Sequence, residues 1–173
     1  KGKDLVQRHR SERHRPLRVR VEGPSNAPVL LFSNSLATDL SMWDDQVAVF
    51  AKFYRVVRYD TRGHGKSETA TPPYSLSTLV EDVRSLLDAL GIDAVHYCGL
   101  SLGGMIGQLF AARYPQRLLS LALCDSAAKL RREVWDRTTI SNKHINHEYR
   151  SIHDGGLVRP RGLCRGERRN GNI

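Results

Sequence analysis

Residues 97–104 read Tyr97-Cys98-Gly99-Leu100-Ser101-Leu102-Gly103-Gly104. A short run of β-forming residues precedes the G-x-S-x-G pentapeptide, and an apolar pattern with helical spacing follows it. A serine between two glycines at a strand-to-helix turn is typical of a nucleophile elbow, in which the sharp turn lifts the hydroxyl above the end of a sheet. The stretch therefore predicts a strand, a tight turn and a helix, with Ser101 as a candidate nucleophile for acyl transfer.

Strand and helix patterns alternate on both sides of this turn. Apolar or alternating runs predict strands at 17–21, 29–32, 54–59, 95–98 and 118–124, and helical spacing predicts helices at 42–53, 76–90 and 102–114. The helix at 76–90 has the clearest ends, because Ser75 or Ser77 can cap its start and Gly91 follows its last turn. Such alternation predicts an α/β fold with a mostly parallel sheet and helices on both faces.

The charge of the chain is concentrated at its two ends. Residues 1–20 hold eight Lys and Arg against two acidic residues, and residues 129–173 hold eleven against five. The middle, 21–128, holds eight against eleven and is mildly acidic. A nucleic-acid surface is normally a basic patch on the folded domain. The distribution therefore argues against a nucleic-acid partner and predicts a folded core at 17–128, between a disordered or non-native stretch at 1–16 and a basic tail at 129–173.

The cysteine spacing indicates whether the chain has disulfides or a zinc site, and the apolar runs indicate whether it enters a membrane. None of the three cysteines forms a C-x-x-C pair, which argues against a disulfide framework or a zinc site. Cys98 and Cys124 each end an apolar run and are predicted to be buried thiols. No apolar run reaches 18 residues, and the first residues lack the apolar core of a signal peptide. We expect a cytoplasmic protein with no membrane span.

A serine hydroxyl needs partners before it can act as a nucleophile. A base must take its proton, and donors must hold the oxyanion that forms on the substrate. The backbone N–H of Leu102 is the donor that an elbow itself supplies. The second donor is expected from the loop after the strand at 29–32, where the N–H of Leu36 is the candidate; a plain connecting loop is the alternative.

A second polar turn follows the strand at 54–59 and reads Asp60-Thr61-Arg62-Gly63-His64-Gly65-Lys66-Ser67. His64 precedes Ser101 in the chain and lies between glycines, so we interpret it as a turn and packing residue. Asp60 and Arg62 are predicted to hydrogen-bond the loop and not the substrate.

Three stretches together resemble one superfamily. They are Ser33-Asn34-Ser35-Leu36 with Asp39-Leu40-Ser41-Met42-Trp43-Asp44, the turn 59–67, and Cys98-Gly99-Leu100-Ser101-Leu102-Gly103-Gly104-Met105-Ile106-Gly107-Gln108. With them the chain resembles the alpha/beta-hydrolase superfamily over about residues 17–137, and most closely its 3-oxoadipate enol-lactonase family.

The resemblance implies an activity and a set of site residues. It implies hydrolysis of the enol-lactone of 3-oxoadipate, in aromatic catabolism through the β-ketoadipate pathway, with no metal ion or organic cofactor. It assigns Ser101 as the nucleophile and Leu36 and Leu102 as oxyanion donors. Trp135 lies where the helical cap of the family begins, so it is a candidate substrate contact, with plain packing as the alternative.

The acid and the base of a catalytic triad are not evident in the chain. The order Ser, Asp, His is expected, and the candidates beyond Ser101 are Asp125, Asp136, Asp154, His144, His147 and His153. The family pattern fades at about residue 137, so we expect a truncated or frame-shifted chain without the last strands and most of the cap, and with little turnover. The alternatives are a carboxylesterase or perhydrolase of the same fold, or a non-catalytic fragment.

Overall fold

The computed structural model describes residues 3–6, 17–67 and 75–127. Its strands are β1 (Lys3–Val6), β2 (Arg18–Glu22), β3 (Val29–Ser33), β4 (Arg55–Tyr59), β5 (Val95–Leu100) and β6 (Leu118–Cys124). Its α-helices are α1 (Asp44–Phe50), α2 (Leu76–Ala89) and α3 (Leu102–Arg113), and short 3₁₀ turns occupy Leu40–Trp43 and Pro115–Arg117.

The six strands form one sheet in the order β1-β2-β4-β3-β5-β6. β4, β3, β5 and β6 are mutually parallel, and β2 and β1 extend the sheet with antiparallel pairings. The carboxyl ends of the four parallel strands therefore meet at one edge, which is where ligands bind in open α/β sheets. The predicted α/β class with a mostly parallel sheet is confirmed.

Strand β1 lies within the stretch 1–16, where the sequence predicts no regular element. Its backbone pairs antiparallel with β2, from Lys3 opposite Val21 to Val6 opposite Arg18. Strand pairing satisfies the open hydrogen-bonding edge of β2 and depends on backbone groups rather than on an apolar pattern, so the sequence carries little signal for it. Residues 1–2 and 7–16 lie outside the described part of the chain.

Helices cover both faces of the sheet, as predicted. On one face, Leu31, Val57 and Tyr97 pack with the apolar sides of α2 and α3 in the larger core cluster. On the other face, Phe32 stacks on Trp43 with ring centroids 4.5 Å apart, inside a smaller cluster next to α1. Successive residues of a strand point to opposite faces, so one strand contributes to both clusters: Leu31 of β3 lies in the larger cluster and Phe32 in the smaller one.

The ends of the helices show which local signals determine them. The side chain of Ser75, and not that of Ser77, caps α2 by accepting from the N–H of Thr78, and Gly91 follows with φ +62°. The helix predicted at 42–53 is shorter than expected. Asp39 caps a 3₁₀ turn first, by accepting from the N–H of Ser41 at 2.8 Å, and α1 ends at Phe50.

Strand β6 is the last element of the described chain. It leaves Leu119 and Leu123 exposed at 55% and 43%, and it pairs on one side only among the described strands. No helix within the described ranges has both the length and the apolar character needed to span a membrane. The basic tail predicted at 129–173 lies outside the described residues.

Candidate active site

Ser101 occupies a strained turn between β5 and α3. Its backbone has φ 50° and ψ −109°, a conformation that residues other than glycine seldom adopt. The turn is fixed on both sides, because the N–H of Ser101 donates to the carbonyl of Cys124 at 3.0 Å and its own carbonyl accepts from the N–H of Met105 at 3.0 Å. The hydroxyl of Ser126 also donates to the carbonyl of Ser101, at 3.0 Å.

Glycines around Ser101 allow the close backbone approach that the turn requires. A Cβ atom at Gly99 would lie 2.4 Å from the backbone of Gly103, and one at Gly103 would lie 2.2 Å from the carbonyl oxygen of Ser33. A Cβ atom at Gly104 would lie 2.4 Å from the Cβ of Ser126. Each contact is far shorter than van der Waals distance, so the start of α3 is in direct backbone contact with the end of β3.

The conformation of Ser101 leads to a prediction about stability. We expect Ser101→Gly to have a free energy of unfolding about 1 kcal/mol higher than Ser101→Ala, since glycine adopts a positive φ without a steric penalty. Urea denaturation of the two variants, which both lack the hydroxyl, measures the difference. Equal stability would mean that the turn stores no strain.

The loop after β3 is held by a buried side-chain amide. Asn34 is completely buried; its Nδ2–H donates to the carbonyl of Tyr59 at 2.9 Å, and its Oδ1 accepts from Nε1 of Trp43 at 2.9 Å. The hydroxyl of Tyr97 donates to the carbonyl of Gly103 at 2.8 Å, and this bond holds the start of α3, which contacts the end of β3. Sequence reasoning missed Asn34, although a polar residue directly after a buried strand is a signal for such a role.

The two candidate oxyanion donors lie on either side of the contact between the end of β3 and the start of α3. Leu102 is the first residue of α3, so its N–H has no acceptor within the helix. Its side chain is in the larger core cluster, against which Leu36 also packs. Ala37 reverses the chain just after Leu36 with φ 59°. The structure thus brings Leu36 and Leu102 to the same end of the sheet as Ser101.

Asp60 organises the turn after β4. Its side chain is fully buried, and its two carboxylate oxygens accept from the N–H of Leu40 and the N–H of Lys66, both at 2.8 Å. The guanidinium of Arg18 lies 3.6 Å from the same carboxylate. A carboxylate held by this many donors is a structural anchor, in agreement with the interpretation from sequence.

Arg62 and His64 also have structural partners. Arg62 reaches out of its own turn and binds Asp82 of α2 through two contacts, one of them Nε to Oδ2 at 2.8 Å, whereas the sequence analysis expected a partner within the loop. The reason is that α2 places a buried carboxylate above the turn, which no local pattern reveals. Nδ1 of His64 lies 3.1 Å from the carbonyl oxygen of Arg62.

The structure places one of the acid candidates near Ser101. Asp125 follows β6 directly with φ 41°, and the next residue is Ser126, which contacts the Ser101 turn. The described histidine His96 lies at the opposite end of β5 from Ser101, where its Nδ1 is 2.9 Å from the hydroxyl oxygen of Ser120. The remaining candidates lie outside the described residues; they are Trp135, Asp136, Asp154, His144, His147 and His153.

Cys98 does not compete with Ser101 as a nucleophile at neutral pH. Burial, together with the neighbouring Cys124, raises the pKa of Cys98 to about 12, so this thiol stays protonated. Cys98 is only half-buried and Cys124 is exposed, so the prediction that both are buried was wrong. The reason is that Cys124 lies on β6, an edge strand of the described sheet. No group of three or more metal-binding side chains occurs in the described part of the chain.

Comparisons with known proteins agree with this architecture. A sequence profile of the alpha/beta hydrolase fold matches residues 28–146. The chain is 46% identical to 3-oxoadipate enol-lactonase 1 of Acinetobacter baylyi over 114 residues, which are 66% of this chain and 42% of that protein. The crystal structure of the enol-lactonase from Burkholderia xenovorans is similar, with a TM-score of 0.69 and 48% identity, over 70% of this chain and 48% of the other.

A further solved structure is that of a hydrolase from Pseudomonas aeruginosa, with a TM-score of 0.71 and 41% identity over 78% of this chain and 50% of the other. The chain thus spans half or less of the length of the relatives it matches.

Proposed function

This chain belongs to the alpha/beta hydrolase family, and on that premise we propose that Ser101 is the nucleophile of a hydrolase that opens a lactone or ester. The observation that carries the proposal is the backbone of Ser101, with φ 50° at the carboxyl end of a central parallel strand. Strain of this kind costs about 1–3 kcal/mol and clusters at functional sites. A serine that served only to connect β5 with α3 would have no need of it.

In the proposed mechanism, the Ser101 hydroxyl attacks the carbonyl carbon of the substrate. The N–H groups of Leu36 and Leu102 hold the oxyanion, and the positive end of the α3 dipole adds to the stabilisation. Each donor of this type typically contributes a factor of about 10²–10³ in rate. In a complete triad a histidine would take the hydroxyl proton of Ser101, pass it to the leaving group and then activate the water that hydrolyses the acyl-enzyme. No histidine of the chain is assigned this role, so turnover is low; Asp125 is the described candidate for the acid that would orient such a base.

We propose 3-oxoadipate enol-lactone as the substrate, with 3-oxoadipate as the product. The support is the identity of 46% to one enol-lactonase over 66% of this chain and of 48% to another over 70% of it. Trp135 remains the proposed substrate contact from the cap. A cytoplasmic setting is part of the proposal, and the free thiols of Cys98 and Cys124 are compatible with it.

The substrate proposal is tested by comparing two substrates on the same protein. We expect the enol-lactone to be hydrolysed with a kcat/KM at least about tenfold above that of p-nitrophenyl acetate. Both rates should be low, at about 10³–10⁴ over water, which is the level that an oxyanion hole and binding supply without a complete triad. Equal or better hydrolysis of p-nitrophenyl acetate would favour a carboxylesterase or perhydrolase.

A further inference from the structure

The peptide unit between Ser101 and Leu102 is held by a side chain from the segment after β6. The hydroxyl of Ser126 donates to the carbonyl of Ser101 at 3.0 Å, and the N–H of Met105 donates to the same oxygen at 3.0 Å. This carbonyl belongs to the same peptide unit as the N–H of Leu102. We propose that Ser126 is a positioning residue whose hydroxyl orients and polarises the Leu102 N–H as an oxyanion donor, a role that rests on the proposed function.

Peptide geometry connects the carbonyl that Ser126 binds with the N–H that faces the substrate. A trans peptide is planar, and its C=O and N–H point in opposite directions. Two hydrogen bonds to the Ser101 oxygen therefore fix the direction of the Leu102 N–H. The bond from Met105 is the ordinary helical bond over four residues. The bond from Ser126 comes from outside α3 and ties this one peptide unit to the end of β6.

The second effect of the Ser126 hydroxyl is electronic. Hydrogen bonds in a chain polarise one another, which strengthens each by roughly 10–30%. The chain here begins at Gln108, whose Nε2 donates to Oγ of Ser126 over a long distance of 3.4 Å. It continues through the Ser101 carbonyl and ends at the N–H of Leu102. In the proposed mechanism, this N–H is where negative charge develops on the substrate.

The surroundings of Ser126 leave room for this contact. A Cβ atom at Gly104 would lie 2.4 Å from the Cβ and 2.5 Å from the Oγ of Ser126, so the serine fits because position 104 has no side chain. Asp125, directly before it, has φ 41°, which is uncommon for a residue other than glycine. A glycine in α3 and an unusual backbone turn after β6 therefore both serve the contact between Ser126 and the Ser101 carbonyl.

The test is pre-steady-state acetylation of the 173-residue protein by p-nitrophenyl acetate, followed as release of p-nitrophenolate. In this step the Ser101 Oγ bonds to the acetyl carbon, the ester C–O bond breaks, and the hydroxyl proton passes to water. We expect Ser126→Ala to lower the saturating acetylation rate about tenfold, which is less than the 10²–10³ lost when a donor is removed outright. The half-saturating concentration should not change, because the oxyanion forms only in the transition state.

The matched control is Ser120→Ala. It also removes one hydroxyl from this part of the chain, the one that lies 2.9 Å from Nδ1 of His96 at the opposite end of β5 from Ser101. Its saturating rate and half-saturating concentration should equal those of the unmodified protein. An equal fall in rate in Ser120→Ala and Ser126→Ala would overturn the positioning role. A change confined to the half-saturating concentration in Ser126→Ala would overturn it as well.

Amide NMR provides a measurement that requires no activity. Loss of the hydrogen bond to the Ser101 carbonyl should shift the ¹⁵N resonance of Leu102 in Ser126→Ala and leave it in place in Ser120→Ala; an unshifted resonance in Ser126→Ala would overturn the proposal. The two proposals fail in different ways. Absence of acetyl on Ser101 of the unmodified protein would overturn the proposed function and this role with it. Acetylation of Ser101 at an unchanged rate in Ser126→Ala would overturn the role of Ser126 alone.

Discussion

Asp82→Ala is expected to lower the free energy of unfolding by about 3–5 kcal/mol. Arg62 and Asp82 are 5% and 4% exposed, and their side chains form two contacts between the turn after β4 and helix α2. Removing the carboxylate leaves a guanidinium charge buried without its carboxylate partner, which costs far more than the loss of an ordinary hydrogen bond. Urea denaturation followed by circular dichroism measures the change.

The matched control for this prediction is Asp88→Ala, on the same helix. Asp88 pairs with Arg84 and Arg117, and its side chain is 42% exposed. Exposed pairs contribute about 0–1 kcal/mol, so this variant should lose less than about 1 kcal/mol. Equal losses in the two variants would show that the buried pair is no more important than a surface pair.

Gly103→Ala is expected to destabilise the protein by about 3 kcal/mol, the upper end of the usual cost of overpacking. The new Cβ atom would lie 2.2 Å from the carbonyl oxygen of Ser33 and 2.9 Å from that of Asn34. Both are backbone atoms, so relief requires α3 to move away from the loop after β3. In an open helical position the same substitution stabilises by up to about 1 kcal/mol. A loss of stability therefore indicates the close contact, and a gain indicates its absence.

Gly91→Ala separates this steric cost from backbone strain. Nothing lies within 4 Å of a Cβ atom at Gly91, but its φ is +62°. This variant should lose about 1–2 kcal/mol, the cost of a left-handed conformation for alanine.

A thermal melt in which Gly103→Ala is as stable as the unmodified protein would contradict the close contact between β3 and α3. That contact is what positions Leu36 and Leu102 in the proposed site.

Features determined by neighbouring residues could be predicted from the sequence. The start of α2 at the Ser75 cap, its end before Gly91 and the strand–turn–helix around Ser101 all depend on patterns within a few positions. Local patterns of this kind act through turn sterics and capping hydrogen bonds, which require no knowledge of the rest of the fold. The α/β class followed because these local elements alternate.

Features that depend on distant partners could not be predicted in the same way. The amide of Asn34 joins the β3 loop to Tyr59 and Trp43, and Arg62 finds its carboxylate on α2. Pairing of β1 with β2 rests on backbone groups that every residue carries. The exposure of Cys124 likewise follows from the position of β6 in the sheet and not from its apolar sequence.

The identity of the acylated residue tests the nucleophile assignment most directly. The protein is incubated with p-nitrophenyl acetate, digested and analysed by mass spectrometry, beside Ser101→Ala and the matched control Ser120→Ala. Deacylation needs an activated water, so an incomplete triad should let the acyl-enzyme accumulate. We predict an acetyl group on Ser101 in the unmodified protein and in Ser120→Ala. Acetyl groups found only on lysine, cysteine or other hydroxyl side chains, with Ser101 unmodified, would contradict the account.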